Sequence, residues 1–163
     1  VEVIVADNAS TDATAEIALQ RGCRVVQVEK RSIAAARNGG AAVARGENVA
    51  FTDADGQIHR RTFLALDAAV ASGRIVAGTT GGRFERLSAG LVATMVAFAP
   101  IALATGFDVG VVYCPREDFE AVGGYDESYR HDLFDDWEFA QQLFAAGPTV
   151  RFVPRAIAWP CVR

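Results

Sequence analysis

Strand-like and helix-like segments alternate through the first half of the chain, and this rhythm constrains the fold more than any other feature of the sequence. Val1-Glu2-Val3-Ile4-Val5-Ala6 reads as a strand, Asp7 to Asp12 as a turn, and the stretch to about Arg21 as a helix stopped by Gly22. Val25 to Val28 is a short second strand. Ser32 to Arg45 is Ala-rich and helical, opened by Ser32 and closed by Gly46. Gly39 and Gly40 inside it each cost about 1 kcal/mol relative to Ala, so their presence points to a close backbone approach. Val49-Ala50-Phe51 reads as a buried interior strand, followed by a helix from about Arg60 to Ser72, a stop at Gly73 and a strand over Arg74 to Thr79. Strands separated by helices imply right-handed crossovers, which predicts an α/β fold with a mainly parallel sheet.

The second half departs from that rhythm. From Leu87 to Phe107 there is no charged residue. A span of about 20 apolar residues can cross a bilayer. Here that would put the carboxylates at 53–55 and those at 135–136 on opposite sides of a membrane, and Pro100 interrupts the segment, so a buried helix or one on a membrane surface is expected. A strand near Val109 to Cys114, a short helix near Arg116 to Val122, the turn Gly123-Gly124-Tyr125-Asp126-Glu127, a helix from Asp135 to Ala146 and a strand over Val150 to Val153 follow. No repeat or linker divides the 163 residues, and 51% hydrophobic content supports one sizeable core.

Charge and cysteine usage exclude several classes. A net charge of −4 argues against a nucleic-acid surface. Lys30 is the sole lysine, which removes chemistries needing one elsewhere. Cys23, Cys114 and Cys161 are odd in number and far apart, suggesting neither a zinc site nor a disulfide framework, and fitting a reducing, cytoplasmic compartment. No signal peptide is visible, and the chain begins inside a strand.

Four groups of residues are candidates for chemistry. Asp53 and Asp55 leave the carboxyl end of a strand, facing the crevice where open α/β sheets bind ligands. With no adjacent base they repel each other unless a hard cation such as Mg²⁺ or Mn²⁺ sits between them, as in a site for a metal-bound diphosphate. The other reading is a solvated turn before Gly56. In Asp7-Asn8-Ala9-Ser10-Thr11-Asp12, the later residues suit helix capping, whereas Asp7 stands earlier, at the strand end where a ligand lies. Arg37-Asn38 is either an exposed polar patch or a guanidinium aimed at a nucleobase or phosphate. Asp135-Asp136-Trp137-Glu138 suits the first turn of a helix through the macrodipole, and equally a general base for an alcohol. His131 is a weaker candidate.

In their order these motifs resemble the family 2 glycosyltransferases of GT-A fold. The resemblance rests on Asp7 to Asp12, on Ala36-Arg37-Asn38 with Gly40 and Ala44-Arg45-Gly46-Glu47, on Phe51-Thr52-Asp53-Ala54-Asp55, on Gly123 to Glu127, and on Asp135 to Glu138 followed by Gly147. It implies a three-layer α/β/α, Rossmann-like domain over 1–163, with a nucleotide-sugar half (1–80) and an acceptor half (81–163). It further implies inverting transfer from a nucleotide-diphospho-sugar to a hydroxyl of a sugar, polysaccharide or lipid-linked acceptor. Asp7, Arg37 and Asn38 would hold the donor, Asp53 the ribose, and Asp55 with Asp53 the Mg²⁺ or Mn²⁺. Asp136, beside Asp135, would be the base. The variable 87–107 stretch is where peripheral contact with the inner face of a membrane would occur.

Members of that family begin one strand earlier, with a strand lying mid-sheet beside Val1 to Ala6. The resemblance therefore implies an N-terminally truncated fragment, aggregation-prone or inactive alone, with an apolar edge exposed. Two alternatives stand beside it: a non-catalytic sugar-nucleotide-binding remnant, and a haloacid-dehalogenase-like phosphatase. The phosphatase needs a downstream cation and an Asp-x-Asp at the first strand; here Lys30 lies upstream and the Asp-x-Asp follows two βα units.

Overall fold

The computed structural model describes residues 1–54, 56, 58, 60–72, 78–79, 87–105, 111–128, 139, 141–143 and 145. They fall into two compact units, 1–49 with 115–142, and 50–114 with 143–163. The segment after Pro115 joins the first unit, where Tyr125 is hydrogen-bonded by Asn38 across 87 positions of sequence.

In the first unit, β1 (Ile4–Asp7) and β2 (Arg24–Gln27) are parallel, in register Ile4 to Arg24 through Asp7 to Gln27. Helix α1 (Thr14–Gln20) connects them, and α2 (Ile33–Ala42) packs on both strands. Asp12 receives the Thr14 amide at 3.0 Å, and α1 starts at Thr14, one residue later than the turn through Asp12 suggested. Ser32 caps α2 as expected, its hydroxyl accepting from Ala35 N at 3.1 Å. The helix ends at Ala42, short of Gly46, and the carbonyl of its C-cap, Val43, accepts from the Arg24 guanidinium. The two helix glycines face side chains of the strand segments. A Cβ on Gly39 would stand 2.6 Å from Val28 Cγ2, and one on Gly40 would touch Ala6. Among the described residues, β1 pairs with β2 alone.

β3 (Asn48–Phe51) begins in the first unit. It is not the fully interior strand that its apolar run predicts, since Val49 is buried while Ala50 is exposed: only one face is packed. The interior strand is β5 (Val112–Pro115), whose first three residues are buried, flanked by β3 and by β4 (Gly78–Thr79). β4 runs antiparallel to β5, making the sheet mixed. In the second unit α3 (Arg60–Ala71) buries Thr62 and Leu66, one helical turn apart, and Leu66 joins Val111 and Tyr113 in a core extended by Ile58, Phe63 and Val70.

Of the two placements expected for this stretch, helix α4 (Ala89–Thr105) does not take the buried one: residues 92–100 are all exposed. Apolar on every side, it has no polar face to dictate which side turns inward. Among the described residues no helix is long and apolar enough to cross a membrane. The short helix α5 (Arg116–Ala121) follows β5, tied to the first unit by Arg116 N on Glu47 O at 2.8 Å.

Candidate functional site

Parallel β1 and β2 deliver their carboxyl ends side by side, and the turns leaving them are laced together. Val28 N donates to Asp7 O at 2.9 Å, and Asn8 Nδ2 donates to Lys30 O at 2.6 Å. Ala9 takes a left-handed backbone (φ 56°), swinging the chain so that Ser10 N reaches Asp7 Oδ1 at 3.2 Å. Asp7 is buried, 4% exposed. The Ser10 hydroxyl foremost, with the Gln27 side chain and the Ser10 amide, holds its carboxyl below the ordinary value against the opposing effect of burial. Asp7 is therefore a fixed, ionised acceptor at neutral pH.

Beyond it opens a polar cavity of about 550 Å³, lined by residues 8–12 and 31–33. Arg31 bridges its rim, Nη2 donating to Ala9 O at 3.5 Å. A cavity with one guanidinium, three hydroxyl side chains and an Asx-rich turn, at the carboxyl ends of parallel strands, suits a polar, hydrogen-bonding ligand.

Arg37 and Asn38 are brought to a second sequence motif. Asn38 Nδ2 donates to Tyr125 O at 2.9 Å and to Glu127 Oε1 at 3.0 Å, while its Oδ1 accepts from Tyr125 N at 2.9 Å. Lys30 Nζ pairs with the other oxygen of Glu127 at 3.1 Å. The Arg37 guanidinium lies 5.0 Å from the centre of the Tyr125 ring. Gly123 and Gly124 make this turn, with φ of +82° and +73°, and a Cβ on Gly124 would stand 2.6 Å from Asn38 Oδ1. The carboxamide of Asn38, read from sequence as a donor-side group, is thus engaged by the turn.

In the second unit Asp53 is exposed on the turn leaving β3, where Gly56 N donates to Asp53 O at 3.1 Å. Its carboxylate has the oxygen chemistry a hard divalent cation takes. Among the described residues no three His, Cys, Asp or Glu converge as a ready-made metal site. Asp55, His131, Asp135 and Asp136 lie outside the described residues.

Sequence reasoning missed Arg31 and the Lys30–Glu127 pair. The available signal was two successive cations directly after the β2 segment, in a chain with no other lysine.

A model of glycosyl transferase family 2 matches residues 1–89. Comparison with curated proteins gives no match. Among solved structures, glucosyl-3-phosphoglycerate synthase from Mycobacterium tuberculosis, in complex with Mn²⁺, UDP and glucosyl-3-phosphoglycerate, is similar at 20% identity, with a TM-score of 0.66 over 99% of this chain and 61% of its own. The same enzyme with Mn²⁺, UDP-glucose and phosphoglyceric acid aligns at 26% identity over 71% of this chain and 46% of its own, with a TM-score of 0.55. A structure described as a mycobacterial protein gives 27% identity over 72% and 44%, with a TM-score of 0.54. The shared fold is α/β and Rossmann-like. This chain spans about three fifths of the length of the first of these structures.

Proposed function

The chain belongs to glycosyl transferase family 2, and from that membership we propose that it transfers a glycosyl group from a nucleoside-diphospho-sugar to an acceptor hydroxyl, with inversion at the anomeric carbon. The observation that carries this reading is Asp7: a buried carboxylate, kept ionised by Ser10, at the carboxyl end of β1 and next in sequence to the turn 8–12 that lines the open polar depression. A fixed acceptor of this kind selects a donor N–H, as a nucleobase presents. UDP-glucose, phosphoglyceric acid and glycerol 3-phosphate, the ligands of the similar synthase, support a nucleotide-sugar donor and a small phosphorylated acceptor as the first pair to test.

In this reading Asp7 and Arg37 hold the nucleotide, and Asn38 acts on it through the Tyr125 turn. Asp53 and Asp55 hold Mn²⁺ or Mg²⁺, which when bound supplies positive charge against the departing diphosphate. Asp136, next to Asp135, takes the proton of the acceptor hydroxyl as its oxygen bonds to the anomeric carbon; the carbon–oxygen bond to the diphosphate breaks and its electron pair leaves with the nucleotide. The uncharged segment 87–107, with Val96 and Phe98 exposed, supports a peripheral contact with a lipid surface, which co-sedimentation with phospholipid vesicles tests.

The deciding experiment is UDP release from UDP-glucose with Mn²⁺ and 3-phosphoglycerate, in the wild type and in Asp136→Asn. Loss of turnover with UDP binding retained is expected; turnover unchanged by the substitution refutes the base assignment.

A further inference from the structure

Three buried rings form a small aromatic core in the first unit: Phe119, Tyr125 and Phe139, which are 6%, 3% and 1% exposed. Tyr125 and Phe139 stack at 4.3 Å with planes 21° apart, and Phe119 tilts against both, at 6.1 and 5.4 Å. Taken alone this is ordinary packing. The neighbours of Tyr125 give it a second meaning. Its backbone N–H and C=O are both bonded by the side chain of Asn38, the residue adjacent to Arg37, while its ring carries the Arg37 guanidinium. The stacked partner, Phe139, follows Asp136 by three positions and Asp135 by four.

We propose that Tyr125, backed by Phe139, is a positioning residue that holds the Arg37 guanidinium for the nucleotide donor. This rests on the glycosyl-transfer reading above. A guanidinium over a ring face is held in orientation while its edge still presents N–H donors to phosphate or base oxygens. Because Asn38 fixes the backbone of Tyr125 and Phe139 fixes its ring, the Arg37 guanidinium rests on a support that cannot tilt without displacing Phe139. The two positive-φ glycines immediately before Tyr125 give the turn the tight geometry this requires. Loss of the Phe139 ring therefore loosens Arg37.

The test is calorimetric titration of the full chain with UDP in the presence of Mn²⁺, with thermal melts to establish that each variant is folded. Arg37→Ala and Tyr125→Leu should each weaken UDP binding about tenfold, as loss of a desolvated cation–π support predicts. The double variant Arg37→Ala/Tyr125→Leu should bind no more weakly than Arg37→Ala alone, and Tyr125→Phe should restore wild-type affinity. Phe139→Leu should weaken UDP binding in the wild-type background and have no effect in Arg37→Ala. Tyr125→Met, which keeps the core filled, replaces the leucine variant should that one fail to fold. A folded Tyr125→Leu or Tyr125→Met with wild-type affinity, or effects that add in the double variant, overturns the proposal and leaves the functional reading standing. Failure of the wild type to bind UDP or any other nucleoside diphosphate overturns the functional reading, and the proposal with it.

Discussion

Asn38 holds Tyr125 by both of its backbone polar groups, accepting from the amide and donating to the carbonyl, each at 2.9 Å. A side-chain amide used this way replaces a strand neighbour: it satisfies a buried residue's backbone without a sheet. Asn38→Ala should therefore cost about 1–3 kcal/mol, the desolvation penalty of leaving such groups unpaired. Asn38→Asp should cost more, since it loses both donors and sets a second carboxylate beside Glu127. Urea unfolding of the two variants checks the order.

The α2 glycines should respond oppositely to the same substitution. At Gly39 a Cβ would overlap Val28 at 2.6 Å, so Gly39→Ala overpacks the helix–strand contact and should destabilise by about 1–3 kcal/mol. At Gly40 the nearest atom, Ala6 Cβ, is an ordinary 3.8 Å away. Gly40→Ala should stabilise by up to about 1 kcal/mol through helix propensity. Denaturation midpoints of the pair give the comparison, with opposite signs expected.

Tyr113 is 2% exposed, and among the described residues its hydroxyl has no hydrogen-bond partner. Burial pushes its pKa up to about 12. Tyr113→Phe removes an orphaned polar group from the core with Leu66 and Val111, and a gain of about 1 kcal/mol in stability is expected. A lower melting temperature in the phenylalanine variant would contradict this.

How much of this was legible in the sequence follows the range of each signal. Ser32 as a cap, the strand–helix order through Phe51 and the close approach at Gly39 are encoded by neighbouring residues and helix period, and the structure has them. The carbonyl at the early end of α2 is taken by Arg24, 19 positions upstream, and no local pattern announces it. The pairing of Asn38 with Tyr125, across 87 positions, was invisible for the same reason: each motif reads as a polar turn or patch until the fold joins them. Helix α4 is a different case. Uniform apolarity gives no periodic moment, so hydrophobicity alone left a buried and a surface position both open, and residues 92–100 are exposed. Of the candidate site, Asp7, Arg37 and Asn38 were singled out from sequence, whereas Arg31 was overlooked because a pair of cations after a strand resembles any solvated turn.

The pH response of the 123–127 turn has a definite sign. Hydrogen bonds from Asn38 and then Lys30 hold the Glu127 carboxyl below its ordinary value of 4.5. A depressed acid contributes stability that is fully present above its unfolded-state pKa and is lost as pH falls through the folded value. The stability difference between wild type and Glu127→Gln should thus be constant near neutrality and shrink as pH drops below about 4.5. Chemical denaturation at a series of pH values measures it.

The metal assignment predicts a separation of binding from turnover. Asp55→Asn, or chelation of the divalent ion, should reduce UDP release from UDP-glucose by about 100-fold or more, the scale for losing charge stabilisation of a leaving group. Asp7→Asn should instead act mainly on donor affinity, raising KM. Steady-state kinetics of the two variants resolve the roles, and equal effects on kcat would refute the division.

Lys30 is the sole lysine of the chain, and its amine is paired with Glu127 on the latch that closes the 123–127 turn. Nature has thereby left the molecule with a built-in reporter. An amine-selective reagent has one side chain to modify, and a paired ammonium reacts more slowly than one in open water. The acylation rate of Lys30, read by mass spectrometry without any label or mutation, therefore clocks how often the latch opens.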